Sequence, residues 1–241
     1  MTARRRFAAS AALLVLAFLA APGRSCCAES DPKAVALAES TLVRMGGRDA
    51  WNRTHYLVWN FFGRRKHTWD RFTGDERIET GNRIVLLNLQ THDGHVFDKG
   101  EEVTDPAARK TALDLGYGWW VNDSYWLLMP YKLLDPGTKL KYVGPSKLAD
   151  GRAADLLGLT FDAGVGMTPE NRYDVWIARD TGLVEQWSYY AAAADTAPAF
   201  TMAWKGWKRF GSVLLATDHG QGDPWETAAP DSLPRSLFEK P

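Results

Sequence analysis

The side chains that most often carry chemistry are few here and poorly grouped. The five histidines are His55, His67, His92, His95 and His219. His92 and His95 stand three apart, but they straddle Asp93-Gly94, a dipeptide that marks a hairpin turn. A metal site needs two further ligands in fixed geometry, and neither neighbouring stretch offers them, so no metal ligand is assigned. Asp70, Asp75, Glu76 and Glu79 fall in or beside one hairpin and read as turn and outward-facing residues. No carboxylate pair is placed by spacing alone for acid–base work. The nucleophile elbow G-x-S-x-G, the zinc-protease H-E-x-x-H, the phosphate-binding P-loop and the dinucleotide G-x-G-x-x-G are all missing from the sequence. No catalytic residue and no cofactor is assigned.

What the chain offers instead is aromatic surface. It holds 11 Trp, and Trp119, Trp120 and Trp126 fall within eight residues. Tyr117, Tyr125, Tyr131, Leu127, Leu128 and Met129 stand among them. Indole and phenol rings give a large rigid apolar surface with a polar handle, and methionine adapts to irregular shapes. Such a segment either fills a core or lines a cavity for an apolar ligand. Strand alternation adds wall candidates elsewhere: Leu57, Trp59 and Phe61 share one face, Trp187 and Tyr189 another, and Phe200, Met202 and Trp204 a third. The cavity candidates are Trp59, Phe61, Trp119, Trp120, Tyr125, Trp126, Leu128, Met129, Trp187, Met202 and Trp204.

The elements that would position these residues follow from periodicity. Residues 31–45 predict an amphipathic helix, with Asp31 as cap, Pro32 in the first turn and Val35, Ala38, Leu42 and Met45 as an apolar stripe. Gly46-Gly47 closes it. Short β-branched and aromatic runs then predict strands at 56–62, 67–72, 77–80, 83–90 and 95–97. Turn residues between them require an antiparallel meander. A helix over 107–115 begins at Thr104-Asp105-Pro106 and is broken by Gly116 and Gly118. Asn122, Asp123 or Ser124 caps a short helix over 125–129, which Pro130 ends. Strands resume at 140–143, 153–161, 172–178, 183–190, 200–207 and 212–217. Residues 221–241 read as an irregular tail.

The expected class is α+β. About ten or eleven antiparallel strands form one sheet that curls under its own twist. The result is an open half-barrel, covered on its concave face by the N-terminal helix and the mid-chain helical segment. Residues 29–220 form a single domain.

Residues 1–28 read as a signal peptide. Arg4, Arg5 and Arg6 are followed by an apolar run over 7–21 that is short for a membrane span, with cleavage near Ala28. Both cysteines, Cys26 and Cys27, fall within it, so the remainder has no disulfide, thiolate metal site or cysteine nucleophile. Gly23-Arg24-Ser25 suits a lipidation box poorly, so a lipid-anchored form is not expected. Removing four arginines leaves 25 basic against 29 acidic residues, a mildly acidic protein without a nucleic-acid footprint. The basic clusters Arg64-Arg65-Lys66 and 205–209 read as solvated strand ends or turns rather than binding patches.

The order of elements and three phrases resemble the LolA/LolB-like periplasmic lipoprotein-carrier superfamily. The phrases are residues 120–130 (WVNDSYWLLMP), Gly166-Met167-Thr168-Pro169 and Tyr173-Asp174-Val175-Trp176. The resemblance implies an incomplete β-barrel that holds acyl chains without catalysis, with Arg64, Arg65 and Arg71 as loose counterparts of a lid arginine. The expected function is a periplasmic carrier or binding protein for a lipid or acyl-chain ligand, with envelope proteins as partners, no nucleic acid and no membrane span after cleavage. Two alternatives stand beside it: a structural or interaction module with a purely aromatic core, and an envelope enzyme with a polar cavity.

Overall fold

The computed structural model describes residues 29–222 and 224–241. The expected signal peptide and both cysteines lie outside the described residues.

Helix α1 (Pro32–Arg44) starts where the sequence places it, with the Asp31 carboxylate accepting from the Lys33 N–H at 2.8 Å. Its buried stripe is Ala34, Ala38, Thr41 and Leu42. Gly46 then adopts φ 122°, and a Cβ there would sit 2.4 Å from the Ser212 carbonyl oxygen. Only glycine fits, and the chain turns at once into a second helix, α2 (Gly47–Arg53), which the pattern did not reveal.

Six strands follow as a meander: β1 (Tyr56–Phe61), β2 (Arg65–Asp70), β3 (Asp75–Thr80), β4 (Arg83–Asn88), β5 (Gly94–Asp98) and the short β6 (Glu101–Glu102). Each pairs antiparallel with the next. Along β1, Leu57, Trp59 and Phe61 point inward by strict alternation. After α3 (Pro106–Lys132) come β7 (Thr138–Lys147), β8 (Ala153–Phe161), β9 (Arg172–Ala178), β10 (Val184–Tyr190) and β11 (Phe200–Ala203), a second antiparallel meander. Strands β12 (Lys208–Phe210) and β13 (Val213–Leu215) form a separate ribbon.

The α+β class, the antiparallel pairing and the helical cover are as expected, and the strands do not close into a barrel. Hydrogen bonding divides them into a seven-stranded and a five-stranded sheet. The segment after Gly220 is not irregular throughout: β14 (Thr227–Ala228) extends the first sheet beside β1, and a 3₁₀ turn (Arg235–Phe238) follows. Trp225, 5% exposed, anchors this segment against Phe61 and Phe62.

Helix α3 differs most from expectation. It is one 27-residue helix rather than two short ones. Gly116 does not break it; a Cβ there would lie 2.9 Å from Val85 Cγ1, so the glycine lets the helix lie close on the sheet. Pro130 falls near the C-terminal end, where it removes only the N–H that would serve the carbonyl of Trp126. The helix spans three apolar clusters. Ala112 and Leu113 pack with Ile78, Val85 and Val96; Leu127, Leu128 and Tyr131 with Leu57, Trp59 and Leu215; and Met129 with Leu157, Val175 and Trp187. Among the described residues no helix is long and apolar enough to cross a membrane.

Candidate functional site

A half-open cleft of about 740 Å³ lies where four elements meet. The end of β1 supplies Asn60 and Phe61, the turn after it Phe62, Gly63 and Arg64, α3 supplies Trp126, and β11 supplies Phe200 and Met202. The C-terminal segment adds Gln221, Gly222, Pro224, Trp225 and Glu226.

The turn sets the geometry of the wall. Arg64 donates its N–H to the Phe61 carbonyl at 2.9 Å, and Phe62 and Gly63 both have positive φ, 48° and 67°. Two positive values are what a tight primed hairpin turn requires, and asparagine or glycine usually supplies the first. A phenylalanine there costs about 1–2 kcal/mol. Its ring is held edge-on by Phe61, Trp225 and Trp126, with centroids 4.9, 5.0 and 5.5 Å away. The strain and the placement of the Phe62 ring in the cleft go together. Trp126 stacks on Phe200 at 5.5 Å across the cleft and meets Phe61 edge-on at 6.1 Å. Arg64 and Glu226, both exposed, bring one charge of each sign to the rim.

His219 sits behind this wall, 1% exposed, with Trp225, Trp204, Trp126 and Phe62 around its ring. Neither ring nitrogen has a hydrogen-bond partner. Burial pushes its pKa down to about 4, only weakly resisted by Asp218, so the ring is neutral at ordinary pH.

A second polar group lies sealed in the interior. Arg65 grips Asp123 with two hydrogen bonds of 2.6 and 2.8 Å. His67 bridges Asp123 and Glu76, each at 2.8 Å, and its ring stacks on Trp59 at 4.4 Å. His67, Glu76 and Asp123 side chains are all 0% exposed. Both imidazole nitrogens face carboxylate oxygens, so the ring is either an imidazolium or sits beside a protonated Glu76. Burial lifts the Glu76 carboxyl to about 7, a rise that the His67 hydrogen bond only partly offsets. Burial also opposes the charge on His67, but hydrogen bonds to Asp123 and Glu76 outweigh it and its pKa is raised. For Asp123, burial is likewise outweighed, here by His67 and Arg65, and its pKa is lowered. With both nitrogens engaged and no exposure, this triad fastens α3 to β2 and β3 and presents no open ring nitrogen.

The structure separates the candidates read from the sequence. Phe61, Trp126 and Met202 line the cleft. Trp187 and Trp204 are fully buried behind it, within ring contact of Trp126 and His219 respectively. Trp59 lies under the sealed triad, and Leu128 and Met129 are core. Tyr125 packs on Tyr173 at 5.3 Å, Trp120 on Trp69 at 5.2 Å, and the Arg65 guanidinium lies 5.4 Å from the ring of Trp119. Glu76 is not outward-facing and Asp123 is not a cap: both are buried ion partners. His92 and His95 do not converge; His92 lies on Tyr117 and His95 bonds Glu102. Arg71 caps the end of α2, donating to the Trp51 and Thr54 carbonyls. Phe200 lines the cleft, in keeping with the face it shares with Met202. The residues missed are Phe62, Trp225 and His219, and the one available signal was Trp225, a lone tryptophan in a polar tail.

No protein-family model matches the chain, and no curated protein matches it. Solved structures do. A LolA superfamily protein from Nitrosomonas europaea is similar with a TM-score of 0.40 at 8% identity, over 85% of this chain and 96% of that one. A candidate outer membrane lipoprotein-sorting protein domain from Vibrio parahaemolyticus is similar with a TM-score of 0.38 at 12% identity, over 86% and 96%. The MucA/MucB complex of Pseudomonas aeruginosa gives a TM-score of 0.26 at 18% identity, over 83% and 60%.

Proposed function

We propose that the chain is a non-enzymatic carrier or binding protein of the periplasm that takes an apolar, acyl-type ligand in the aromatic cleft. The observation that carries this reading is the cleft itself: its size falls within the range of small-molecule sites, and its walls are Phe61, Phe62, Trp126, Phe200, Met202 and Trp225. The two charged residues, Arg64 and Glu226, face solvent, and Asn60 and Gln221 are the uncharged polar side chains among the otherwise aromatic and apolar lining. Converging titratable groups of the kind an enzyme would need occur in the sealed triad, and none of His67, Glu76 and Asp123 lines the cleft. The signal peptide read from the sequence of residues 1–28 favours an envelope location, and the rim is where an envelope partner would deliver or collect the ligand.

Native mass spectrometry of the exported protein, released under mild conditions, tests the reading. Co-purifying lipid supports it, and a clean mass with no uptake of a fluorescent fatty-acid probe sinks it. Trp126→Ala should weaken probe uptake at least several-fold while the fold survives, because Trp126 is only partly buried. Unchanged uptake would remove Trp126 from the site.

A further inference from the structure

The fold divides the basic run Arg64-Arg65-Lys66. Arg65 is taken by Asp123 through two hydrogen bonds. Lys66 stands on β2 opposite Glu79 of β3. Of the three, only Arg64 lines the cleft, exposed at its mouth. Glu226, likewise exposed, lines the cleft from the last segment. Neither side chain has an ion or hydrogen-bond partner among the described residues, and no ion pair joins the two. Elsewhere exposed charges do pair: Arg83 with Asp98, Arg179 with Asp155, and Arg235 with Glu239. Both free charges hang from fixed backbone. The Arg64 N–H closes its turn onto the Phe61 carbonyl at 2.9 Å, and the Asn60 N–H donates to the Glu226 carbonyl at 3.0 Å. A ligand-sized aromatic cleft thus carries one unpaired charge of each sign at its opening.

We propose that the cleft selects an amphiphile with a zwitterionic head: an anionic group for Arg64, an ammonium for Glu226, and an apolar chain on the aromatic wall. The proposal rests on the apolar-ligand reading of the cleft and adds the head to it. An anionic head is drawn to Arg64 but meets Glu226 as a like charge, and a cationic head meets the reverse. An uncharged head leaves both side chains to water. A head of both signs makes two attractive contacts at once. The guanidinium offers a fork of donors that suits a phosphate. The ammonium gains from its surroundings, because cations are attracted to aromatic faces, and Trp225, next to Glu226 in the chain, lines the cleft with Phe62 and Trp126. With both charges at the mouth, the head stays partly in water and avoids the cost of sealing ions in an apolar interior.

Displacement of bound N-phenylnaphthylamine from the full exported protein tests this. The probes are decylphosphocholine, decyl sulfate and decyltrimethylammonium, which share one alkyl chain and are kept below their micelle concentrations. The double variant Arg64→Gln/Glu226→Gln is the reference, since it keeps the wall and removes both charges. Exposed ion contacts are weak singly, and two made by one head add. The native protein should bind decylphosphocholine roughly fivefold more tightly than the double variant does, about 1 kcal/mol. Its affinity for the singly charged probes should differ from the reference by less than about twofold, because attraction and repulsion offset. Glu226→Gln alone should favour decyl sulfate, and Arg64→Gln alone decyltrimethylammonium. Both side chains are exposed and unpartnered, so the variants should melt as the native protein does. Equal affinity of native protein and double variant for decylphosphocholine overturns the proposal and leaves the apolar-ligand reading standing. A native gain for decyl sulfate as large as that for the zwitterion also overturns it, since Arg64 would then act alone. Failure of the dye and all three probes to bind overturns both readings.

Discussion

Glu76 and His219 are ionisable groups sealed in the interior with opposite demands. Burial lifts Glu76 from 4.5 to about 7 and drops His219 from 6.5 to about 4. A group that binds its proton more tightly when folded stabilises at low pH and loses that contribution as pH rises through its folded pKa. The Glu76 contribution is therefore complete below 4.5 and fades up to about 7. His219 is the mirror case: its contribution is complete above 6.5 and fades as pH falls towards about 4. Each shift corresponds to roughly 3 kcal/mol, and the windows overlap between 4.5 and 6.5. The melting temperature of the native protein should accordingly change little across that overlap. Glu76→Gln removes one slope and should leave a melting temperature that rises with pH there. Raised His67 adds to the Glu76 side, so the native protein should soften as pH passes neutrality. Calorimetry at several pH values measures this, and a Glu76→Gln variant as flat as the native protein would refute it. None of this was legible in the sequence. His67, Glu76 and Asp123 are nine and 56 positions apart, and only the β2–β3 register and the continuity of α3 bring them together.

At the scale of elements, the strands were legible because alternation survives at half-buried surfaces, as Leu57, Trp59 and Phe61 demonstrate. Helix α3 was not, because Gly116, Gly118 and Pro130 carry the same letters whether they break a helix or serve it. Packing distinguishes the two glycines. Gly116 is buried with Val85 Cγ1 2.9 Å from its would-be Cβ, whereas nothing lies within 4 Å at Gly118. Alanine gains about 1 kcal/mol over glycine in a helix, and overpacking costs about 1–3 kcal/mol. Gly118→Ala should therefore stabilise the protein by up to about 1 kcal/mol. Gly116→Ala should destabilise it by about 1 kcal/mol on balance, because Val85 is fully buried and cannot give way cheaply. Urea unfolding of the pair checks the sign of each. Stabilisation by both would mean that α3 does not lie close on the first sheet.

For the whole molecule, the cleft exists only because the chain returns to where it began. The wall made by β1 and its turn faces Trp126 from mid-chain, Phe200 from the second sheet and Trp225 from the last segment. Two backbone pairings, Val58 with Ala228 and Trp59 with Thr227, join that segment to β1. Arg77 then holds the chain end through the Leu237 and Lys240 carbonyls, with Phe238 buried beside Tyr56. Ending the chain after Gly220 removes the Trp225 wall and leaves β1 as an open edge. Its row of unpaired N–H and C=O groups would be free to pair with another chain. The shortened protein should keep both meanders and its helical signal, bind N-phenylnaphthylamine at least tenfold more weakly, and associate with rising concentration in light scattering. Dye binding at native strength would place the ligand elsewhere. A strictly monomeric product would mean that β14 covers no edge that matters. Loss of dye binding together with association is the outcome expected if this last segment both completes the cleft and closes the sheet.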